Sequence, residues 1–342
     1  MKKTEIKPNE ITKGAKASMK TRLITAIVGT VIVVPFIFLG DWFYAALVAF
    51  LSVVSTLEII RCIKVKRSVN YMIGLLVISI IICFLMVFWP FFINMSDILS
   101  QQTWYHFYSY FTQLHISVLL VFIGFALLFL MVVFHTSFTV RDATFMFTML
   151  VVISLGLQSL LFLRCFPSYV HWHDSPSPSF FNSYDSFEAS LLVIYVLVAT
   201  FLTDSGAYFV GLFFGKRKIN ERISPKKTYA GFIGGLIVSF IGSAAFGLII
   251  AAFNHPMLEG YLDINHWYYI LALSAIIPLF STLGDFVFSS IKRFYEIKDF
   301  GNILPGHGGI LDRIDSLLFS LMASAMFIWV ITNIATPDVF LL

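Results

Sequence analysis

Charge is scarce in this chain: Asp, Glu, Lys and Arg make up 12% of its 342 residues, about half the share in ordinary globular proteins. A soluble protein of this length could not cover its surface with so few charges. The composition therefore excludes soluble domains, among them soluble nucleic-acid-binding proteins. Cysteine is also rare, and Cys62, Cys83 and Cys165 do not have the spacing of a disulfide framework or a zinc site.

Apolar residues, in contrast, reach 58% of the chain and come in runs of about 18–25, long enough to cross the hydrocarbon core of a bilayer. In lipid the backbone must satisfy its own hydrogen bonds, so each run is predicted to be a helix. The sequence thus predicts an all-α polytopic integral membrane protein with about nine transmembrane helices. The nine segments are 23–39, 42–60, 71–93, 116–134, 144–163, 189–214, 230–253, 267–290 and 316–336.

The distribution of basic residues predicts the orientation of these helices. With the N-terminus in the cytoplasm, 22 of the 23 Lys and Arg residues fall on the cytoplasmic side, as the positive-inside rule requires. Only Arg164 lies outside. Nine crossings then place the C-terminus on the outer side.

Three regions are predicted along the chain. Residues 1–22 form a basic cytoplasmic tail, and 23–188 form a scaffold of helices 1–5 with few polar residues inside the membrane. Residues 189–342 form a catalytic region of helices 6–9, with cytoplasmic loops at 215–229 and 291–315.

Two carboxylates of the catalytic region lie within predicted spans. Asp204 is in the sixth span and Asp285 is towards the cytoplasmic end of the eighth. A carboxylate in a spanning helix costs several kcal/mol unless it has a partner or a function. Since both lie nearer one face of the membrane, they favour a shared polar cavity over two isolated helix–helix contacts.

The loop after the sixth span contains Ser224-Pro-Lys-Lys-Thr228 directly before the seventh span. Ammonium groups, hydroxyls and free amides beside a helix N-terminus are suited to a phosphate-bearing ligand. Ordinary positive-inside charge is enough to explain Lys216, Arg217 and Lys218 in the same loop.

The loop before the ninth span is the most specific stretch. Gly308 and Gly309 follow His307 and allow backbone amides to approach a phosphate. Asp312 and Asp315 are three residues apart and so share one helix face. Oxygen ligands beside Lys and Arg are suited to Mg²⁺ carrying a polyphosphate.

Residues 289–315 resemble the signature of the phosphatidate cytidylyltransferases (CDP-diacylglycerol synthases), which reads S-x-x-K-R, four residues, K-D, and then P-x-H-G-G-x-x-D-R-x-D. Asp204-Ser-Gly-Ala-Tyr208 is similar to the family's D-T-x-A-Y element, and residues 224–228 are similar to its S-P-K-K-T element. The likeness covers roughly residues 195–316. Two acidic positions of the family differ, because Ala230 and Phe288 stand at or near them.

The resemblance implies that CTP and phosphatidate give CDP-diacylglycerol and pyrophosphate, with Mg²⁺ as cofactor and a second cation left open. It implies a multi-pass protein of the cell (inner) membrane with its active site at the cytoplasmic face. Asp285, Asp312, Lys227 and Asp204 are the predicted catalytic residues, and Asp285 and Asp312 are also the predicted metal ligands. The predicted substrate-binding residues are Ser224, Lys226, Thr228, Ser289, Lys292, Arg293, Lys298, Asp299, His307, Gly308, Gly309, Arg313 and Asp315.

Two other functions remain open. The chain could be a CTP-dependent enzyme acting on another lipid phosphate, or a transporter of a phosphorylated metabolite. A transporter needs polar residues that continue into the outer half of the bundle, and the sequence has almost none there.

Small residues recur every four positions along the seventh span, at Gly231, Gly235, Ser239, Ser243 and Gly247. Such a stripe allows two helix backbones to approach closely. It predicts tight packing within the bundle or, as the alternative, a homodimer contact.

Overall fold

The computed structural model describes residues 13–63, 69–98, 114–135, 138–172, 185–220, 222–304 and 308–335. Within these ranges the chain forms nine α-helices and one two-stranded sheet. In chain order the elements are α1 (Lys13–Leu39), α2 (Asp41–Cys62), α3 (Val69–Ile98), α4 (Leu114–Phe134), α5 (Val140–Trp172), α6 (Asp185–Phe214), β1 (Lys218–Asn220), β2 (Ser224–Thr228), α7 (Tyr229–Ala252), α8 (Trp267–Phe294) and α9 (Leu311–Ala335).

Each predicted apolar segment coincides with one of these helices. Six helices hold a stretch long and apolar enough to cross a membrane: Trp42–Cys62, Val140–Pro167, Phe187–Phe214, Tyr229–Ala252, Trp267–Phe294 and Leu311–Thr332. The prediction of a polytopic, helical membrane protein is therefore confirmed. The apolar stretches of α1, α3 and α4 are shorter, so the count of nine spans and the orientation of the termini stay predictions.

The predicted loop at 215–229 contains a β-hairpin, which the all-α prediction did not include. Strands β1 and β2 pair antiparallel, with Lys218 opposite Thr228 and Asn220 opposite Ser224. The Asn220 side-chain carbonyl accepts a hydrogen bond from the backbone N–H of Arg222 at 3.1 Å, a local turn that reverses the chain. The hairpin holds residues 224–228 in a defined register beside α7.

Helices α6 and α7 pack closely through the small-residue stripe, whose five members are all buried. A Cβ atom added at Gly235 would lie 2.8 Å from the carbonyl oxygen of Thr203, so the two backbones are in direct contact. The Ser239 hydroxyl donates a hydrogen bond to the Ala199 carbonyl at 2.8 Å. The prediction that the stripe packs within the bundle is confirmed.

Arg164, the single basic residue outside the predicted cytoplasmic set, is buried near the junction of α1 and α2. Its Nε atom donates to the carbonyl oxygen of Ile37 at 3.1 Å, and the Ser190 hydroxyl donates to the same oxygen. This carbonyl lies in the last turn of α1, where the helix leaves acceptors without partners. Arg164 therefore stabilises a helix end, which explains its exception to the charge pattern.

The C-terminal helices position the candidate site. Helix α8 packs against both α7 and α9, and α9 also packs against α5 and α6. The Tyr195 hydroxyl of α6 lies 2.6 Å from the Ser274 hydroxyl of α8, a buried polar link between these two helices. We call the end of the bundle where α6 and α8 end and α9 begins the site end.

Candidate active site

Charged side chains from four elements meet near the site end of the bundle. We call them the aspartate–lysine cluster. It consists of Asp204 on α6, Lys227 on β2, Asp285 and Lys292 on α8, and Asp312 and Asp315 on α9.

Of the two adjacent lysines of the hairpin, Lys226 and Lys227, only one side chain lies in this cluster. Neighbouring side chains of a strand point to opposite faces. Lys227 pairs with the carboxylate of Asp285, and its ammonium group lies 3.9 Å from the centre of the Phe286 ring. Lys226 is exposed to solvent. The structure thus brings Lys227, the predicted catalytic lysine, to Asp285 and leaves Lys226 on the surface.

Asp285 lies in the penultimate turns of α8 and is the most accessible paired carboxylate of the cluster. Its Oδ1 atom accepts a hydrogen bond from the Ser289 hydroxyl at 3.3 Å, one turn later in the helix. Its Oδ2 atom faces Lys227. The side chain is 33% exposed, against 2% for Asp312 and 11% for Asp315, and Asp204 is exposed as well, so an incoming ligand can reach Asp285 and Asp204 more readily than the two aspartates of α9.

Lys292 joins α8 to the beginning of α9. Its ammonium group lies 3.0 Å from Oδ1 of Asp312 and 3.3 Å from Oδ2 of Asp315. Asp312 and Asp315 share one helix face, as their spacing predicted. An ammonium group buried between two carboxylates is stabilised by both of them, and it reduces their mutual repulsion.

The carboxylate charge of Asp204 is offset by few direct partners among the described residues. Its described hydrogen bond is a long one, 3.4 Å from the Ser316 hydroxyl to Oδ2. The carboxylates of Asp285 and Asp315 and the ammonium group of Lys227 all interact with it electrostatically. Four carboxylates against two ammonium groups leave the cluster with a formal charge of −2, which favours a bound cation.

Glu58 of α2 is a site residue that the sequence did not reveal. It is fully buried, and its two carboxylate oxygens accept hydrogen bonds from the backbone N–H groups of Ile310 and Leu311 at 2.9 and 2.8 Å. These are among the first N–H groups of α9, which have no partners within the helix. Glu58 therefore fixes the beginning of α9 although 252 residues of chain separate it from Ile310.

The glycine-rich loop folds around the same carboxylates. Oδ2 of Asp312 accepts hydrogen bonds from the N–H groups of Phe300 and Gly309, at 2.8 and 3.0 Å. A Cβ atom at Gly309 would lie 2.6 Å from both carboxylate oxygens of Glu58, so only glycine fits there without displacement. In this structure the Gly309 amide holds Asp312 rather than pointing into open space. Gly308 lies against Asp299 and Asp312.

The remaining predicted site residues lie in different places. The Thr228 hydroxyl caps α7 by accepting a hydrogen bond from Gly231 N–H at 3.1 Å, and Ser224 pairs with Asn220 in the hairpin. Lys298, Asp299 and Arg313 are exposed. His307 lies outside the described residues.

Arg293 does not join the aspartate–lysine cluster. Its guanidinium group donates to the carbonyl oxygens of Ile223 and Ile297, both at 3.3 Å. It thereby connects the end of α8 to the tip of the hairpin. Its predicted role in substrate binding stays a prediction.

Phe288 stands near a position at which the sequence resemblance implies an acid. Its side chain is fully buried, and its ring packs edge-on against Phe300 and Phe319, with centroids 5.9 and 6.3 Å away. The aromatic side chain joins α8, the loop between α8 and α9, and α9 in an apolar contact. In this chain a buried aromatic side chain, which packs between helices, therefore stands near that position instead of an acid.

Mg²⁺ requires one or two carboxylates, with water and phosphate oxygens completing its coordination shell. Asp285 supplies an accessible carboxylate. Oδ1 of Asp312 accepts one hydrogen bond, from Lys292, and a carboxylate oxygen has lone pairs for more than one partner. Among the described residues no three carboxylate, His or Cys side chains form a closed metal cage. Asp285 therefore fits an open Mg²⁺ site that a phosphate ligand completes, whereas Asp312 is 2% exposed and could join it only through Oδ1, since Oδ2 is held by two backbone N–H groups.

The architecture and site together define a polytopic membrane protein that gathers acidic and basic side chains at one end of its helices. Residues 20–331 match the model of the cytidylyltransferase family. The chain belongs to this family.

Curated relatives agree with this assignment. A protein of Bacillus subtilis (strain 168) named phosphatidate cytidylyltransferase is 32% identical over 305 residues, which cover 88% of this chain and 94% of the relative. Proteins with the same name from Staphylococcus haemolyticus and Staphylococcus aureus (strain COL) are 45% and 46% identical over 129 residues, covering 38% of this chain and 45% of each relative.

Proposed function

We propose that this chain transfers the cytidylyl group of CTP to phosphatidate, giving CDP-diacylglycerol and pyrophosphate for phospholipid synthesis. The observation that carries the proposal is the aspartate–lysine cluster at the end of apolar spanning helices, where a lipid phosphate at the membrane interface and a soluble nucleotide can meet. The name shared by the relatives agrees with this substrate pair.

In the proposed reaction a phosphate oxygen of phosphatidate attacks the α-phosphorus of CTP. A new P–O bond forms, the bond between the α-phosphorus and the bridging oxygen breaks, and pyrophosphate leaves with the electron pair. Both reactants are anions that repel each other, so the site must neutralise their charge as they approach.

Lys227 and Lys292 are the cationic groups placed for this task. Each already pairs with an aspartate of the cluster, so each is held in position before a ligand arrives. A phosphate that enters the cluster can share these ammonium groups with the carboxylates. We assign Lys227 to a substrate phosphate, because its Asp285 partner is more exposed than Asp312 and Asp315, the partners of Lys292.

We further propose that Asp285 and Asp312 hold Mg²⁺, with Asp204 and Asp315 adding negative charge around it. Bound Mg²⁺ supplies charge neutralisation at the phosphate oxygens. Asp204 orients Lys227 by electrostatic attraction, and Asp315 keeps Lys292 in place.

From the positive-inside rule we infer that the site end lies at the cytoplasmic face, where CTP is present. A reporter enzyme fused after residue 342 tests this orientation, because it is expected on the non-cytoplasmic side. A cytoplasmic reporter would contradict the nine-span topology.

The function itself is tested with the purified full-length protein, phosphatidate vesicles and CTP labelled in the cytidine or in the γ-phosphate. We expect cytidine label in a CDP-lipid and γ-label in pyrophosphate, both dependent on Mg²⁺. Transfer of the γ-label to lipid would instead identify a CTP-dependent kinase. If neither CDP-lipid nor γ-labelled lipid forms, the transferase proposal is wrong and a transporter is the remaining alternative.

A further inference from the structure

A cavity lies on the other side of α8 from the aspartate–lysine cluster. It has a volume of about 820 Å³ and is bounded by the beginning of α5, the end of α8 and the tip of the β-hairpin. On α8, Asp285, Ser289 and Lys292 recur with the spacing of one helix face. Ser290 and Phe294, which line this cavity, are four residues apart and share a different face.

Three arginines from three separate elements line this cavity: Arg141 of α5, Arg222 of the hairpin and Arg293 of α8. We call it the arginine cavity. Its lining residues include no carboxylate. Asp142, next to Arg141, interacts electrostatically with the lining Tyr295, so one carboxylate near the wall faces three arginines. A guanidinium group binds phosphate through paired N–H donors with little loss of freedom.

Local contacts hold two of these guanidinium groups in position. The Arg141 guanidinium carbon lies 4.3 Å from the centre of the Phe294 ring and 5.8 Å from that of Tyr295. Arg293 donates to the carbonyls of Ile223 and Ile297, which engages Nε and Nη1 and leaves its other N–H donors for a ligand. All three arginines are exposed, and these contacts hold two of them at the wall of the cavity, where a ligand can reach them.

The rest of the wall is apolar, with Phe145 and Met149 of α5 and Ile291 of α8. Arg141 stands in the first turn of α5 and Arg293 in the last turn of α8, where the apolar spans end. That depth corresponds to the headgroup region of a bilayer, in which an arginine can extend its charged group while its stem remains in apolar surroundings. A ligand with an anionic head and an apolar body fits both parts of the wall.

We propose that the arginine cavity binds the phosphate headgroup of an anionic phospholipid that is not the reacting lipid. Because α8 separates this headgroup from Asp285 and Lys227, a lipid bound here does not meet the proposed reaction centre. The proposal does not rest on the transferase activity, since binding is measured without CTP. A soluble phosphate ester carries the same phosphate group as the lipid headgroup. The experiment below distinguishes binding of the phospholipid from binding of the soluble ester.

The test is titration of the full-length protein in detergent with phosphatidylglycerol, followed by native mass spectrometry. The double variant Arg141→Gln/Arg222→Gln is expected to weaken binding at least tenfold. Arg217→Gln is the matched control, because it removes one arginine at the same end of the bundle outside the cavity, and it should bind like the wild type. Lys227→Met should also bind normally, whereas loss of binding there would place the lipid in the aspartate–lysine cluster.

A second variant keeps the proposal testable if the double variant does not fold. Thr148→Trp fills the cavity from α5 without changing its charge, and it should weaken phosphatidylglycerol binding to a similar extent. Zwitterionic phosphatidylcholine should bind at least tenfold more weakly than phosphatidylglycerol. Equal binding of the two lipids, unchanged binding in both cavity variants, or displacement of the lipid by glycerol phosphate at equal concentration would overturn the proposal.

Discussion

The two sides of α8 differ in the sign of their excess charge. On one side Asp285 and Lys292 lie among further aspartates, and acids outnumber bases in the aspartate–lysine cluster. On the other side Arg293 lies with two more arginines and no acid in the cavity wall. One helix therefore separates a place suited to a metal–phosphate complex from a place suited to a lone anion. Positive charge alone, which is common at this end of membrane helices, does not identify a reaction site.

The largest effect is expected from Asp285→Asn. The change removes an accessible carboxylate and leaves Lys227 without its charged partner. Turnover should fall about a thousandfold, in the range found when a charge-stabilising group of an active site is lost. CDP-lipid formation measures the effect, and the melting temperature in detergent checks that the protein is folded.

The control for this change is Arg217→Gln, which lies outside the cluster and should retain wild-type turnover. The residual activity of Asp285→Asn should also require much more Mg²⁺. Substantial activity with wild-type Mg²⁺ dependence would remove Asp285 from the metal site.

Lys292→Met should be the most destabilising change in the cluster. It leaves Asp312 and Asp315 buried without the ammonium group that both contact, and breaking a buried pair in this way costs about 3–5 kcal/mol. Lys298→Met, on the exposed loop after α8, is the comparison and should change stability by less than about 0.5 kcal/mol. Equal thermal stability of the two variants would show that Lys292 is not required to compensate the aspartates.

Glu58→Gln tests whether α2 contributes to the site. The amide nitrogen of Gln cannot accept a hydrogen bond, so either Ile310 or Leu311 N–H loses its partner. We expect a loss of about 1–3 kcal/mol in stability and reduced turnover, because the beginning of α9 carries Asp312 and Asp315. Glu188→Gln, at a partly exposed Glu paired with His255, is the control. A Glu58→Gln protein as stable and active as this control would refute the capping role.

The smallest effect is expected from Ser289→Ala. The change removes the hydroxyl that donates to Asp285 at 3.3 Å, which is worth about 1 kcal/mol, or roughly fivefold in turnover. Thr282→Ala is the matched variant, because the Thr282 hydroxyl bonds only the backbone carbonyl of Pro278 among the described contacts. Similar turnover in the two variants would mean that Ser289 does not tune the Asp285 carboxylate.

Much of the candidate site was predictable because its residues lie in short, specific motifs. Asp204, Lys227, Asp285, Lys292 and Asp315 were all singled out from the sequence, and the structure brings their side chains together. The spacing of Asp312 and Asp315 correctly placed both on one face of a helix, since helical periodicity is a local property.

Other parts of the site depend on contacts between distant segments. The apolar context of Glu58 in α2 contains no motif, and only the packing of α2 beside the beginning of α9 shows what this residue does. The sequence also did not show that Arg293 faces the hairpin and the arginine cavity instead of the cluster. Arg293 directly follows Lys292, but successive residues on a helix differ by about 100° in direction. The two side chains therefore contact different parts of the protein.

The sequence by itself determined that this is a helical membrane protein, where its apolar helices lie, and which motifs relate it to the cytidylyltransferases. These properties follow from composition, from the length of apolar runs and from local spacing, all of which can be obtained from the amino-acid sequence. Only the tertiary structure decided that Lys227 rather than Lys226 meets Asp285, that Glu58 caps α9, and that α8 separates two oppositely charged sites. Those outcomes depend on which helix faces come into contact, and close packing between distant segments selects them.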